Sequence, residues 1–491
     1  MKSVVFNPEY HLRQDGSRVI LFSDAEVSDA SEEWFSFIHP FHAMMFSFFD
    51  GQRTYIEELE QCATFFNIPF YKMEEIVNRF LNKQHWFTIR SGNHLMNFPK
   101  NVLLQVEQRS QEAKKRYTPN DFKYIGSPDY DTIRLKYPIS INMELTMKCY
   151  VNCVYCYANR NLRDRAMLTM SEIRNVITQA KQNGVFNIDV NGGDVLLHPN
   201  IKEILQELVN NGYSPLVSTK AILTKDMMDY IVSLKKVRMQ ISLDSVNKDV
   251  LHKLIGVPDS YITDMSSMLE YLSKKQAKIQ INVVLTKYNS SIVGIKDLLD
   301  YIAKYCTVKE VRFSPCGCSL YKKNFEELVL SSKQMQIVLT KIEELSQNYP
   351  NLKIKVSSFD KKSEYISDTK EEIFQGRALC TGGTRTAVLL PNGDMTICEE
   401  LYDNPHFVLG NVRKHTIEEI WNSPKAVELY KSPIKENSTS TCNKCISQHE
   451  CRTKIGVCWK LVLMAYGTEQ WDYPDPRCPK APLPFNRFYY E

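Results

Sequence analysis

The residues best suited to chemistry in this chain are cysteines, fourteen of them in 491 residues. Cys149, Cys153 and Cys156 stand in MELTMKCYVNCVYCYANRN with the spacing C-x3-C-x2-C. Three thiolates this close along the chain can hold a cubane 4Fe–4S cluster and leave its fourth iron open to another ligand. A structural zinc ion is the rival, but it takes four protein ligands. A second set lies near the end: Cys380, then twelve residues to Gly393-x4-Cys398, then Cys442-x2-Cys445-x5-Cys451, Cys458 and Cys478. Clusters like these in a large chain read as metal ligands rather than a disulfide framework, in a compartment that keeps thiols reduced. Cys316 and Cys318, in FSPCGCS, end a β-rich run, whereas Cys62 and Cys306 read as core.

The elements that must position these groups follow from periodicity. Between about 136 and 345, the runs PISINME, FNIDVNG, YSPLVST, VRMQISLD, KIQINVVLT and VKEVRFSP read as strands. Helical patterns such as MLTMSEIRNVITQAKQNG, IKEILQELVNNG, TKDMMDYIVSLKK and SYITDMSSMLEYLSKK alternate with them. Such alternation predicts an α/β fold, a parallel sheet or partial (β/α)6 TIM-like barrel whose site lies at the C-terminal strand ends. Cys149 to Cys156 follow the first of these strands directly. Gly192, Gly193 and Asp194 follow the second, Ser218 ends the third, and Ser242 ends the fourth. Asn282 points to the same mouth by position, and His198 reads as part of the turn after Asp194. A plain turn would also account for the two glycines.

The first 100 residues predict a hairpin, YHLRQDGSRVILFS, turning at Asp15-Gly16, and then three helices. That outline is winged-helix-like, yet this stretch carries nine Lys/Arg against thirteen Asp/Glu. Its negative balance argues against DNA, whose phosphates need cations. A net charge of +4 for the whole chain gives no broad case for nucleic acid or anionic membrane. No signal peptide and no long apolar span are apparent, so a cytoplasmic location is expected.

The C-x3-C-x2-C spacing, with Tyr155 as the aromatic before its third cysteine, resembles the radical S-adenosylmethionine (SAM) superfamily. The resemblance implies that the open iron chelates SAM and delivers one electron to its sulfonium, releasing a 5′-deoxyadenosyl radical. It further implies that Gly192, Gly193 and Asp194 receive the SAM amino group through backbone carbonyls, although the last residue is usually Glu. Ser218 and Ser242 would bond the ribose. HKLIGVPDSY lacks the Arg that many relatives carry there, so no carboxylate anchor is carried over.

The C-terminal cysteines, with LPNGDMTIC, GNV at 410–412 and IEEIWNS at 417–423, resemble the SPASM extension of radical SAM peptide maturases. That extension houses two auxiliary 4Fe–4S clusters, making three in all. By family order Cys442, Cys445, Cys451 and Cys478 ligate the distal cluster, and Cys380, Cys398 and Cys458 the near one. RTKIGV puts six residues between Cys451 and Cys458 where the common pattern has three. The near cluster is left one ligand short, as in relatives that make thioethers (sactionine and ranthipeptide maturases). A substrate thiolate could complete it, or Cys316 or Cys318 could.

NPEYHLRQDGSRVILFS followed by HPFHAMMFSFFDGQRTYIEEL resembles the recognition element fused to maturases of ribosomally made peptides (RiPPs), which binds a leader peptide as an added strand. The expected organisation is therefore a recognition element (1–100), a linker with a bridging helix (101–135), the barrel (136–345), a bridge (346–379) and the SPASM domain (380–491). The expected activity is a cross-link in a ribosomal precursor peptide, first of all a Cys thioether, with a flavodoxin or ferredoxin as reductant. A carbon–carbon or carbon–oxygen cross-link, epimerisation and sulfatase-type Ser/Cys oxidation are the close alternatives. An iron–sulfur electron carrier is the non-enzymatic one.

Overall fold

The computed structural model describes residues 3–23, 34–106, 117–158, 166–321, 325–356, 369–377, 379–401, 404–431 and 433–485. They form two compact units, Met1–Lys136 and Tyr137–Glu491.

The first unit opens with β1 (Ser3–Phe6), β2 (Tyr10–Asp15) and β3 (Arg18–Ser23). The β2–β3 hairpin turns at Asp15-Gly16, and Gly16 takes φ +65°, a left-handed angle that suits glycine. β4 (Trp34–Ile38) completes an antiparallel sheet of order β2-β3-β4. Helices α1 (Pro40–Phe46), α2 (Tyr55–Phe66) and α3 (Phe70–Asn78) lie where the apolar spacing places them. A capping box between Thr54 and Glu57 starts α2, satisfying N–H groups that have no partner inside the helix. The unit ends with a hairpin of β5 (Phe87–Ser91) and β6 (His94–Phe98), and with β7 (Leu103–Val106), antiparallel to β1. The described part of 101–135 thus folds with the first unit rather than spanning as a linker. The buried Arg18 guanidinium fastens it, donating to the carbonyls of Asp129 and Thr132 at 2.8 and 2.5 Å. The expected bridging helix, where it covers 107–116, lies outside the described residues.

The second unit alternates as the sequence predicts: β8 (Ser140–Thr146), α4 (Met170–Gln182), β9 (Asn187–Gly192), α5 (Ile201–Asn210), β10 (Leu216–Thr219), α6 (Lys225–Ser233) and β11 (Arg238–Ser242). Then come α7 (Lys248–Ile255), α8 (Tyr261–Lys274), β12 (Ile279–Leu285), α9 (Ile292–Ile302), β13 (Val308–Pro315) and α10 (Ser332–Ser346). Each helix buries one apolar stripe, such as Ile173, Val176, Ile177 and Ala180 of α4, and the strands bury alternate residues against them.

Two features lie beyond local pattern. Both five-stranded sheets reach outside the predicted barrel segment. β14 (Lys353–Val356), from the stretch read as a bridge, pairs parallel with β13. β15 (Thr386–Leu389) pairs parallel with β8, followed antiparallel by β16 (Asp394–Thr396) and β17 (Val408–Asn411). The sheet orders are β10-β11-β12-β13-β14 and β17-β16-β15-β8-β9. No ladder joins β9 to β10 among the described residues, and the Asp189 carboxylate spans that gap by accepting from the Leu216 N–H at 3.2 Å and from Arg238 at 3.0 Å.

The C-terminal region is not wholly dependent on metal staples. Phe407, Trp421, Val462 and Tyr466 are buried in the same core cluster as the barrel. Over 433–456, however, the only buried residues are Ser440, Arg452 and Thr453, all polar. Cys306 is exposed in the turn between α9 and β13, where Tyr305 and Thr307 take the buried positions, so it is not core; Cys62 is. Among the described residues no helix is long and apolar enough to cross a membrane.

Candidate functional site

Cys149, Cys153 and Cys156 lie part-exposed in the loop after β8. Two backbone bonds pin that loop to the end of α7, from Asn152 N–H to the Ile255 carbonyl at 3.1 Å and from Val154 N–H to the Leu254 carbonyl at 2.8 Å. The turn after β9 clamps it from the other side. Gly193 N–H donates to the Thr146 carbonyl at 2.5 Å, and Asp194 N–H to the Lys148 carbonyl at 2.6 Å. A Cβ on Gly192, which sits at φ +123°, would stand 2.2 Å from the Thr146 oxygen, and one on Gly193 would stand 2.1 Å from the Lys148 oxygen. Both glycines are therefore required by backbone packed on backbone. The turn–loop contact is the reason the structure displays for the two glycines.

Asp194 is buried, and its carboxylate accepts from the Thr219 hydroxyl at 2.6 Å and the Leu196 N–H at 3.1 Å. Its side chain serves the fold, and burial raises its pKa above the ordinary carboxylate value. The buried His198 acts locally as well, its Nδ1 accepting from Asn200 N–H at 3.2 Å. Ser218, Gln240, Ser242, Gln280 and Asn282 share one face of β10–β12, because Ser218 is in register with Gln240 and Ser242 with Asn282. There the Gln240 amide donates to Ser218 Oγ at 2.8 Å, and the Gln280 amide to Gln240 at 3.1 Å.

Tyr155 is buried beside the cysteines, and its hydroxyl donates to Asp244. Burial and then the Asp244 charge hold that hydroxyl protonated, well above the ordinary phenol pKa. Asp244, only 1% exposed, also accepts from Val284 N–H at 2.9 Å, and the Lys220 ammonium lies 3.8 Å from it. Sequence reasoning passed over Asp244 and Lys220, although both lie just past strand ends, in SLD and STK.

A polar chain leads from the strands toward the C-terminal cysteines. Asn191 donates to Asn142 at 2.8 Å, and Asn142 to Glu399 at 2.7 Å, next to Cys398. Burial, followed by the neighbouring Glu400, raises the Glu399 pKa. Glu400 accepts from Lys460 at 2.6 Å. Ser319 Oγ donates to the Tyr157 carbonyl at 2.8 Å, tying the FSPCGCS turn to the first cysteine loop. Cys318 and Cys458 both act electrostatically on Lys460, while Cys316 is buried in the core.

Among the seven C-terminal cysteines, Cys380 acts electrostatically on both Cys398 and Cys458, whereas Cys442, Cys445 and Cys451 act on Cys478. Burial pushes the Cys458 thiol up to about 12, so it keeps its proton unless a metal's charge draws it off. Among the described residues no three His, Cys, Asp or Glu side chains gather tightly enough to hold a single ion. Cysteines that each bind a different iron of a cubane need not gather so closely. The surroundings fit an iron–sulfur group: a small open cavity borders Cys380, Gly382, Arg452 and Trp459. Arg452 is 3% exposed, and its Nε and Nη1 donors find no hydrogen-bond partner, a costly arrangement unless an anion faces it.

With this geometry in view, residues 143–299 match the Radical SAM superfamily and residues 380–446 match the SPASM iron-sulfur cluster-binding domain. The chain thus joins a radical SAM domain to a SPASM domain, with SAM and 4Fe–4S clusters as the cofactors those domains use. It is similar to mycofactocin maturase MftC of Mycobacterium tuberculosis (strain ATCC 25618 / H37Rv), 22% identical over 70% of this chain and 83% of that protein. It is also similar to the antilisterial bacteriocin subtilosin biosynthesis protein AlbA of Bacillus subtilis (strain 168), 22% identical over 78% and 76% respectively. The crystal structure of Streptococcus suis SuiB bound to S-adenosylmethionine shares the fold, with a TM-score of 0.64 at 16% identity over 97% of this chain and 100% of that one. SuiB has also been solved bound to its precursor peptide SuiA, with a TM-score of 0.62 to this chain at 16% identity, covering 98% of this chain and all of SuiB.

Proposed function

We propose that this chain is a radical SAM maturase that cross-links a ribosomally made precursor peptide, through a Cys thioether first of all. The observation that carries the reading is the Gly192–Asp194 turn clamped onto the Cys149–Cys156 loop, in one compact unit with the seven C-terminal cysteines. The names of the relatives, a mycofactocin maturase and a bacteriocin biosynthesis protein, support it.

In this reading Cys149, Cys153 and Cys156 hold the first cluster. Backbone carbonyls of Gly192 to Asp194, with Ser218, Ser242 and the Tyr155 neighbourhood, orient SAM. Cys442, Cys445, Cys451 and Cys478 hold a distal auxiliary cluster, and Cys380, Cys398 and Cys458 a near one. Once bound, these groups supply a 5′-deoxyadenosyl radical that takes a C–H hydrogen, and an acceptor for the one electron released when C–S replaces C–H and S–H. The remaining hydrogen leaves as a proton.

Residues 1–100 act as the winged-helix-like recognition element. The order β2-β3-β4 makes β2 and β4 edge strands, the kind of edge on which an extended leader adds a strand. The described unit continues to Lys136, so a clean deletion removes 1–136. Such a protein should lose leader affinity and retain uncoupled SAM cleavage. The chain works in the cytoplasm with a flavodoxin or ferredoxin as reductant.

Cys318 gives a second reading its footing. Cys318 and Cys458 both act on Lys460, which supports a reading in which Cys318 completes the near cluster. A cluster closed in this way favours a carbon–carbon or carbon–oxygen bond. Tandem mass spectrometry of a Cys-containing precursor, co-expressed with the enzyme and then alkylated, separates the two. Loss of two hydrogens with a blocked cysteine means a thioether, and the same loss with a free thiol means the second reading. An unchanged peptide would refute the maturase assignment.

A further inference from the structure

The two groups of C-terminal cysteines sit in opposite electrostatic settings. Around the distal group three cations point donors at three different sulfurs. Arg452 Nη2 lies 3.5 Å from Cys442 Sγ, Arg377 Nη2 3.7 Å from Cys451 Sγ, and Lys480 Nζ 3.8 Å from Cys445 Sγ. Arg377 and Arg452 are both buried, so little solvent screens them.

Around the near group carboxylates prevail. Glu399 and Glu400 follow Cys398 directly and are the charged side chains that act most on its thiol. The buried Asp475 accepts from the Cys458 N–H at 3.0 Å. Lys460 offsets Glu400, and Arg477 offsets Asp475 at 2.9 Å, leaving Glu399 uncompensated on the near side, whereas on the distal side Arg377, Arg452 and Lys480 outnumber the buried Asp472, even with Asp475 also acting on Arg377.

Reducing a cluster adds one negative charge. Cations and donors to sulfur favour the reduced form and raise the potential, whereas carboxylates lower it. We propose that Arg377, Arg452 and Lys480, set against Glu399, Glu400 and Asp475, order the two auxiliary potentials with the distal one higher. These residues bias a single electron from the near cysteines toward the distal ones, with no bond made or broken. From the distal side a one-electron carrier protein of the ferredoxin or flavodoxin class takes it up. This rests on the two-cluster reading given above.

The test uses the full chain carrying Cys149→Ala, Cys153→Ala and Cys156→Ala, reconstituted anaerobically, so that only the auxiliary clusters contribute. Iron and sulfide analysis is expected to give about eight irons, four per cubane. An EPR-monitored redox titration is expected to resolve two midpoints. Lys480→Met, a surface change that leaves the fold alone, should lower only the higher midpoint. Arg377→Met should lower it further, by about a tenfold shift in the reduction equilibrium, or roughly 59 mV for one electron. Glu400→Gln should raise only the lower one. About four irons would overturn the two-cluster reading and the ordering with it. Eight irons with coincident midpoints, or with Lys480→Met acting on the lower one, would overturn the ordering alone.

Discussion

The first cysteine loop and the 433–456 segment hold thiols by different means. Around Cys149 to Cys156 the polypeptide does the placing: carbonyls at the end of α7, two glycines pressed on strand-end backbone, and buried Met147, Tyr155 and Ala158. Around Cys442 to Cys451 the buried residues are polar, and cations rather than apolar packing surround the sulfurs. The first arrangement can stand before any cofactor arrives. The second depends on what it binds, because a loop without apolar burial cannot offset its ordering entropy.

Metal removal should split the two most strongly. Anaerobic chelation is expected to leave the barrel amides protected from hydrogen exchange and to abolish protection over 433–456, and equal loss in both would erase the distinction. A smaller but still large effect is expected from Gly193→Ala. Its Cβ would displace the turn from the cysteine loop, and misplacement of about 1 Å costs on the order of 10²-fold in rate. 5′-Deoxyadenosine formation should fall by about that factor with the circular dichroism spectrum unchanged; full activity would show that the clamp is dispensable. Asp244→Ala, which strips Tyr155 and Val284 N–H of their acceptor, should destabilise the barrel by about 1–3 kcal/mol in denaturant titration. No change in stability there would mean that Tyr155 finds another partner.

The weakest effect belongs to a contact outside both regions, where Arg413, just after β17, pairs with Glu172 of α4 at 2.6 Å. The Arg413 bond, then the Thr169 N–H, lower the Glu172 pKa to about 2. A depressed acid pKa stabilises above the unfolded value, and the gain is lost as pH falls from about 4.5 toward 2. The pair is largely solvated, so Glu172→Gln should cost about 0–1 kcal/mol at neutral pH and nothing near pH 2. A loss that persists in acid would point to packing instead of charge.

The same contrast shows what sequence can disclose. Cys149, Cys153 and Cys156, and the six strands β8–β13, announce themselves by spacing and alternation, which are local properties. Asp244 does not, because its partner Tyr155 lies 89 residues away. Nor does the pairing of β15 with β8, since parallel strands this far apart carry no local mark of their neighbour. Cys306 among apolar residues imitated core, but the helix ends before it and turns it outward. Arg377, Arg452 and Lys480 look like ordinary surface cations in one dimension, and only the fold sets them on sulfur.

The most direct test of the central claim is to reconstitute the wild-type chain anaerobically with iron and sulfide, add SAM and dithionite, and quantify 5′-deoxyadenosine by chromatography. Steady formation that disappears in the Cys149→Ala, Cys153→Ala, Cys156→Ala protein is the expected result. A wild-type protein that binds its iron fully yet releases no 5′-deoxyadenosine would contradict the assignment and leave an iron–sulfur electron carrier in its place.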